Sequence, residues 1–348
     1  MTNPDIQAAA QALKAGELLG LPTETVYGLA ANADDAQAVA LIFAAKGRPS
    51  DHPLIVHVAY AHFEAALAHY ASEVPPVAHQ LMRAFWPGPL TLIVPRRAGV
   101  AQAAAGGQDS IGLRCPAHPL GQAVLEAAWA LGVRGVAAPS ANRFGRVSPT
   151  SVAHVREELG PDLRVIDGGP CAVGIESTLI DCTRGQPVLL RPGSISRADI
   201  QAACGVPVLD AQQAAEVASL SQAPRASGTL ASHYAPVARV HLLPWDALQK
   251  VVRGLPTPNV AVYSRSALVV AESEASRLVS GSGSGSGSGA LPGVVCRQMP
   301  ESPQAAAHEL FAVLRELDAM GVSDIYVQTP PANPEWDGVR DRLTRASA

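Results

Sequence analysis

Along the first two hundred residues, short aliphatic runs alternate with stretches whose apolar residues recur at helical spacing. Residues 6–16 have the helical period, and Gly16 is a natural helix end. "LLGLPTETVYGLAA" reads as a strand entering a loop. Asp34 or Asp35 can cap a helix through "AQAVALIFAAKG", which stops at Gly47 and Pro49. "PLIVHV" is a buried strand by its unbroken aliphatic run. "EVPPVAHQLMRAFWPGP" opens on prolines, turns helical and ends at Pro87-Gly88. "LTLIVPR" and "SIGLRCP" are strands, "HPLGQAVLEAAWALG" a helix, and "GVAAPSAN" a strand running into a polar loop. "SVAHVREELG" is a helix, with Ser148 and Pro149 expected to begin it, and "STLIDC" and "PVLLRPG" are a late strand pair. Interleaved strands and helices predict an α/β fold with a large, twisted, mixed sheet.

After "ISRADIQAACG" the pattern changes. Residues 206–236 are rich in Ala, Gln, Ser and Pro without sustained periodicity, as an interdomain linker is. From Val237 a strand–helix alternation resumes: "ARVHLL", "WDALQKVVRG", "NVAVYS", a helical piece, "GVVCRQ", a helix from Pro303 to Met320, and "DIYVQTP" to close the set. Ser302 and Pro303 form that helix's start, Leu310, Leu314 and Leu317 its apolar stripe, and Gly321 its end. The organisation expected is a large α/β unit over 1–205, a linker over 206–236 and a small Rossmann-like parallel α/β unit over 237–348. Within the last, "GSGSGSGSG" at 281–289 is a flexible tether without chemistry of its own.

Composition narrows the function classes. Hydrophobic residues make up 48% and charged residues 16%, which is a globular balance. A formal charge of −4 argues against a surface that coats nucleic acid, though not against a local basic cleft. Five scattered cysteines (Cys115, Cys171, Cys182, Cys204, Cys296) form no C-x-x-C pair, so reduced thiols are expected, with neither a zinc knuckle nor a disulfide frame. No secretory or membrane-spanning run is visible, and a cytoplasmic chain is expected. There is no G-x-x-x-x-G-K-[ST] loop, and the Gly-Ser run fails the G-x-G-x-x-G template at Ser286. "HELFA" at His308 lacks the second histidine of a zinc-protease helix and reads as a polar face.

What chemistry remains sits at predicted strand ends, where open α/β sheets place ligands. Lys46 and Arg48 lie two apart beside Pro49 and Pro53; an extended segment would turn both the same way. Arginine outnumbers lysine 23 to three here, so a lysine in this crowded loop has the look of a geometric choice, a point charge for a phosphate oxygen. By itself the pair reads equally well as a solvated basic turn. "PTETVYG" alone is a turn whose threonines satisfy backbone groups, and His57 alone is a satisfied core histidine. Arg114 ends a strand and can fork onto a carboxylate or pair with a surface acid. In "APSANRFGRVSPTS", Ser140, Asn142 and Ser148 gather short polar groups near cations. A glycine-rich loop presents Glu176, Ser177 and Thr178, and Arg191 follows in "LRPGS". Cations and hydroxyls without a nucleophile–base pair or metal cage suit the orienting of a phosphorylated small molecule, with electrostatics supplying most of the catalysis.

In these segments the chain resembles the threonylcarbamoyl-AMP synthases, built on the YrdC-like domain. "PTETVYGL", "KGRP", "HPLIVH", "WPGPLTLI", "GLRCPAHP", "APSAN", "ESTLID" and "LRPGS" occur in family order, and "SGTLASHYAP" with the α/β tail resembles the longer, two-domain form. The resemblance implies condensation of L-threonine, bicarbonate or CO2, and ATP into threonylcarbamoyl-AMP and pyrophosphate. The product then passes to a tRNA threonylcarbamoyl transferase. Carried over by position, Lys46, Arg48, Ser140, Asn142, Ser148 and Arg191 would hold ATP, with Lys46 and Arg48 also catalytic, and Ser110 near the nucleotide. His52 stands where many relatives carry asparagine and can still donate to ATP. Thr25, His57, Arg114, Ala138 and Ser177 would surround threonine, and Tyr234 would fold over the nucleotide. Ser227 replaces the usual proline of the linker motif. Mg2+ is expected through the ATP phosphates, with no protein-built metal site. Two other classes stay open on sequence: an RNA-binding module of this domain type without ATP turnover, disfavoured by the acidity, the 4% aromatics and the scarce lysine, and a carbamoyl-adenylate-forming maturation enzyme, disfavoured by the missing cysteine pairs; a weak or transient tRNA contact is compatible with the synthase itself.

Overall fold

The structure, a computed structural model, describes residues 4–217, 223–255, 259–268 and 293–348. The Gly-Ser run and the helical piece before it lie outside the described residues. Thirteen strands are described: β1 Leu19–Leu21, β2 Gly28–Asn32, β3 Ile55–His57, β4 Leu90–Pro95, β5 Ser110–Arg114, β6 Val136–Ala137, β7 Thr178–Asp181, β8 Val188–Arg191, β9 Leu209–Asp210, β10 Arg239–Leu243, β11 Val260–Ser264, β12 Val294–Gln298 and β13 Asp324–Gln328. The first nine form one mixed sheet in the order β1-β2-β6-β3-β5-β4-β7-β8-β9. The last four form a second sheet, β10-β13-β11-β12, parallel at every pairing. The expected α/β class, large mixed sheet and small parallel sheet are all present.

Both faces of the large sheet are covered, which its continuous aliphatic strands require. The helices Ala36–Lys46, Phe63–Tyr70 and Pro76–Phe85 bury Ile42, Leu67 and Leu81 on one side. Pro4–Lys14 and Pro119–Ala130 bury Leu13 and Leu125 on the other. Local signals set the helix ends. Asp35 accepts from the backbone N–H groups of Gln37 and Ala38 at 2.9 and 3.1 Å, and Gly47 closes that helix in the left-handed region at φ 63°.

Several expectations are corrected. Lys46 is the last residue of its helix, not part of an extended segment, so the left-handed turn at Gly47 separates it from Arg48. The helix after "APSAN" starts at Val152 with Ser151 as cap, three residues beyond Ser148. Residues 209–216, expected as plain linker, supply β9 and the helix Ala211–Glu216, because Arg197 holds the Val208 carbonyl at 2.6 Å and aligns that edge beside β8. The chain also continues past β13 into the helix Asp337–Ala346.

That last helix and the helix Pro303–Ala319 join the two sheets. Leu310, Phe311, Leu314, Trp336, Val339 and Leu343 share one apolar cluster with Val26, Val147, Ile175 and Tyr234 of the preceding segments. Around it, Arg315 pairs with Glu158 at 2.8 Å and Arg146 with Asp318 at 3.3 Å. His308, on the exposed face of its helix, faces the Ala172 carbonyl at 3.0 Å.

Candidate active site

β3 and β5 run parallel with His57 opposite Arg114 in register, so the two side chains leave the same end of the sheet together. β7 runs parallel to β4, and its partner β8 runs antiparallel to it; Ser177 therefore enters where Arg191 leaves. The turn 22–27 and the loop 138–142 after β6 complete the rim. Between them lies a pocket of about 490 Å³. Of the residues expected at the site, Thr25, Arg48, His57, Arg114, Ala138, Ser140, Ser177, Arg191 and Tyr234 line it.

On one side sit groups suited to an amino acid. Arg114 is buried and donates to Thr25 Oγ1 at 2.8 Å and Gly88 O at 3.3 Å, while its Nη2 lies 2.7 Å from Glu24 Oε1. The acid it pairs with is Glu24, which is buried, so the surface acid left open on sequence is not its partner. His57 is buried, and its Nδ1 has no hydrogen-bond partner among the described residues. Burial, and then the Arg114 charge, pull its pKa down to about 3, so the ring is neutral. Ser177 Oγ shares a 2.7 Å hydrogen bond with Thr91 Oγ1.

Cations gather on the other side. Arg191 donates through Nε and Nη2 to Ser177 O at 3.1 and 2.9 Å, and through Nη1 to Ser227 O at 3.0 Å. Arg48 donates to Pro53 O at 2.9 Å and reaches Ser227 Oγ at 3.4 Å, with Phe144 against its guanidinium. Lys46 stands just behind, its ammonium donating to the carbonyls of Ser140 and Asn142. Burial first, and then Arg48, lower its pKa to about 7. Burial also brings Arg48 down to about 10 and lowers Arg191. Three close cations without a facing acid for each want a polyanion.

The remaining expected residues take other places. Asn142 donates to the Arg143 and Arg146 carbonyls at 2.7 and 2.9 Å, leaving its buried Oδ1 without a partner among the described residues. Ser148 lies behind the wall, and its hydroxyl proton goes to Glu176 Oε1. Ser110 lines a second pocket of about 280 Å³, which shares Ile55 and Ser227 with the first. His52 is absent from the lining of both pockets and stands edge-on to Phe144 at 5.5 Å. Tyr234 is buried in the left-handed region at φ 64°, its Oη without a partner among the described residues, and burial lifts its pKa to about 12.

Sequence reasoning gave Glu176 no role beyond its place in the glycine-rich loop, and it missed Glu24, His233 and Arg342. The first three stand inside quoted motifs, where their charge or ring was the available signal. Arg342 carried none, since its helix was not anticipated. The described cysteines are free thiols, with only Cys296 exposed.

A cation-lined pocket at the end of a mixed sheet, roofed by the segment 227–234, defines a small-molecule enzyme rather than a nucleic-acid groove. Comparison with known proteins agrees. The family model described as "Telomere recombination" matches residues 11–193, and "Threonylcarbamoyl-AMP synthase, C-terminal domain" matches 195–348. Threonylcarbamoyl-AMP synthase of Pyrococcus abyssi is 37% identical over 345 residues, covering 98% of this chain and 94% of its own. The Schizosaccharomyces pombe protein of that name is 31% identical over 357 residues, covering 95% and 85%. The solved structure of P. abyssi Sua5 complexed with L-threonine matches with a TM-score of 0.80 at 35% identity, over 98% and 94% of the two chains. The chain belongs to the threonylcarbamoyl-AMP synthase family, in its long two-domain form.

Proposed function

We propose that the protein condenses L-threonine, bicarbonate or CO2, and ATP into threonylcarbamoyl-AMP and pyrophosphate, as a nucleotidyltransferase of tRNA modification. The observation that carries this reading is the meeting, in one pocket, of Arg114, Thr25, His57 and Ser177 with Arg48 and Arg191. The first group would seat threonine, its carboxylate on Arg114, with Ala138 leaving room beside it. The second, with Lys46 behind, would seat the triphosphate. Ser140, Asn142 and Ser148 would support the nucleotide, and the adjoining pocket that holds Ser110 would take the nucleoside. His52 would reach ATP from beside Phe144.

The neutral amine of threonine attacks CO2 and loses its proton to solvent, giving a carbamate. A carbamate oxygen then attacks the α-phosphorus, and the bond to the bridging oxygen breaks as pyrophosphate leaves. Lys46, Arg48 and Arg191 meet the charge that develops on the departing group. Mg2+ would arrive with ATP, on phosphate oxygens and water, since no cluster of three or more His, Cys, Asp or Glu side chains is present among the described residues. In the described state Ser227 occupies Arg48 and Arg191, so ATP must displace this segment before Tyr234 and its neighbours close over it. Closure keeps water from the carbamate and the mixed anhydride. The product would pass to a tRNA threonylcarbamoyl transferase, with at most a transient tRNA contact here. No helix among the described residues is long and apolar enough to cross a membrane, and we place the enzyme in the cytoplasm.

Formation of AMP and pyrophosphate from ATP, with and without threonine and bicarbonate, tests the proposal. Turnover that needs both is expected. Turnover with carbamoyl phosphate in place of threonine, or salt-dependent tRNA binding without turnover, would replace it.

A further inference from the structure

One guanidinium from the second unit ties together three parts of the pocket wall. Arg342, on the helix Asp337–Ala346, is fully buried. Its Nε donates to Glu176 Oε2 at 2.8 Å, its Nη2 to Glu176 O at 3.1 Å and its Nη1 to Pro192 O at 2.7 Å. Asp341 Oδ2 also lies 2.9 Å from Nη1, and the guanidinium carbon sits over the Tyr234 ring, 5.4 Å from its centre. Glu176 immediately precedes Ser177, and Pro192 immediately follows Arg191. The other Glu176 oxygen accepts from Ser148. One turn earlier on the same helix, Gly338 lets the backbones meet, since a Cβ there would stand 2.7 Å from Gly193 O.

We infer that Arg342 is a positioning residue for the condensation, reaching from the second unit to fix the 176–177 and 191–193 turns and the Tyr234 ring. Ser177, Arg191 and Tyr234 thereby keep a common register toward the substrates. The inference rests on the proposed function. The planar fork matters: four bonds in three directions are within reach of a guanidinium and not of an ammonium. The same contact settles the Glu176 carboxylate, which lines a pocket meant for a polyanion. Burial would raise its pKa, but Arg342, Arg191 and the Ser148 hydrogen bond outweigh burial and lower it, so the carboxylate stays ionised and turned toward Arg342.

Arg342→Lys, Arg342→Gln and Glu176→Gln, made in the full chain, test this. A misplacement of about an ångström costs on the order of a hundredfold, so kcat/KM for ATP is expected to fall by about that factor in Arg342→Lys. Arg342→Gln is expected to add a second acid limb to the one that threonine's amine imposes on every variant, because Glu176 then takes up a proton more readily. Glu176→Gln keeps shape and fold, raises KM for ATP and shows no such limb. Wild-type kcat/KM in Arg342→Lys, or a loss that only tracks the unfolded fraction at unchanged KM, overturns the inference. If Arg342→Lys does not fold, an unchanged KM in Glu176→Gln overturns it instead. If the wild type makes no AMP that depends on threonine and bicarbonate, the proposed function fails. The ratio of ATP affinities of wild type and Arg342→Lys, by calorimetry, still decides the positioning.

Discussion

At the ends of β3 and β5 and in the loops beside them, His57 Nδ1, Asn142 Oδ1 and Tyr234 Oη are buried with no partner among the described residues. At the ends of β11 and β13 the polar groups are mostly matched. Gln328 Oε1 accepts from the backbone N–H groups of Arg265 and Ser266 at 2.8 and 3.0 Å, and Ser264 Oγ donates to Ser266 O at 2.8 Å. Arg265 Nε is the exception there. An orphaned buried polar group costs about 1–3 kcal/mol, so a fold keeps several together only where something else completes them. The two sheet ends share an architecture that usually marks a ligand crevice, yet among the described residues the first gathers several unmet groups and the second a single one. Chemistry, not topology, separates them.

Lys46→Ala presses hardest on this contrast. It is expected to lower threonine- and bicarbonate-dependent pyrophosphate release by at least about a hundredfold. Near-normal turnover in a steady-state assay would remove the polyanion role from that side of the pocket. Gln328→Ala strikes the other sheet end. It is expected to cost about 1–3 kcal/mol in urea unfolding, through two N–H groups left bare, while KM for ATP and threonine stay unchanged. A shift in either KM would mean that this edge also serves the reaction. The smallest effect is a proton. With its pKa near 7, Lys46 is mostly neutral at pH 8 in the free protein, and phosphate bound beside it would raise that value. ATP binding at pH 8 should therefore take up a fraction of a proton, read as a buffer-dependent binding enthalpy. Uptake that persists in Lys46→Ala assigns it elsewhere.

Much of this was legible in the chain because it is local. Asp35 and Ser302 announce their helices by side-chain caps, and Gly47 ends one by taking a conformation other residues avoid. Arg114, Ser177 and Arg191 were legible as strand-end polar residues. The resemblance added their grouping, which spacing alone does not give. What stayed hidden depends on distant partners. Ser148 looked like a helix start until its hydroxyl met Glu176, 28 positions on. Arg342 finds Glu176 across 166 positions, and nothing near it in sequence marks it as buried. The 223–236 segment has no periodicity because its order comes from outside: Arg225 is held by Gln108, Gly106 and Asp51, and the His233 N–H reaches Arg345 O at 3.1 Å.

Tyr234, at φ 64°, stands where a residue with a Cβ is held at a cost of order 1–3 kcal/mol. In the described state the roof thus carries a small reserve toward movement, matched against a few hydrogen bonds at Ser227, His233 and Arg225. Such a balance favours speed over tightness. A roof that latched without strain would protect the adenylate well and then release it slowly, so on the proposed function one tyrosine's backbone sets part of the pace at which product leaves.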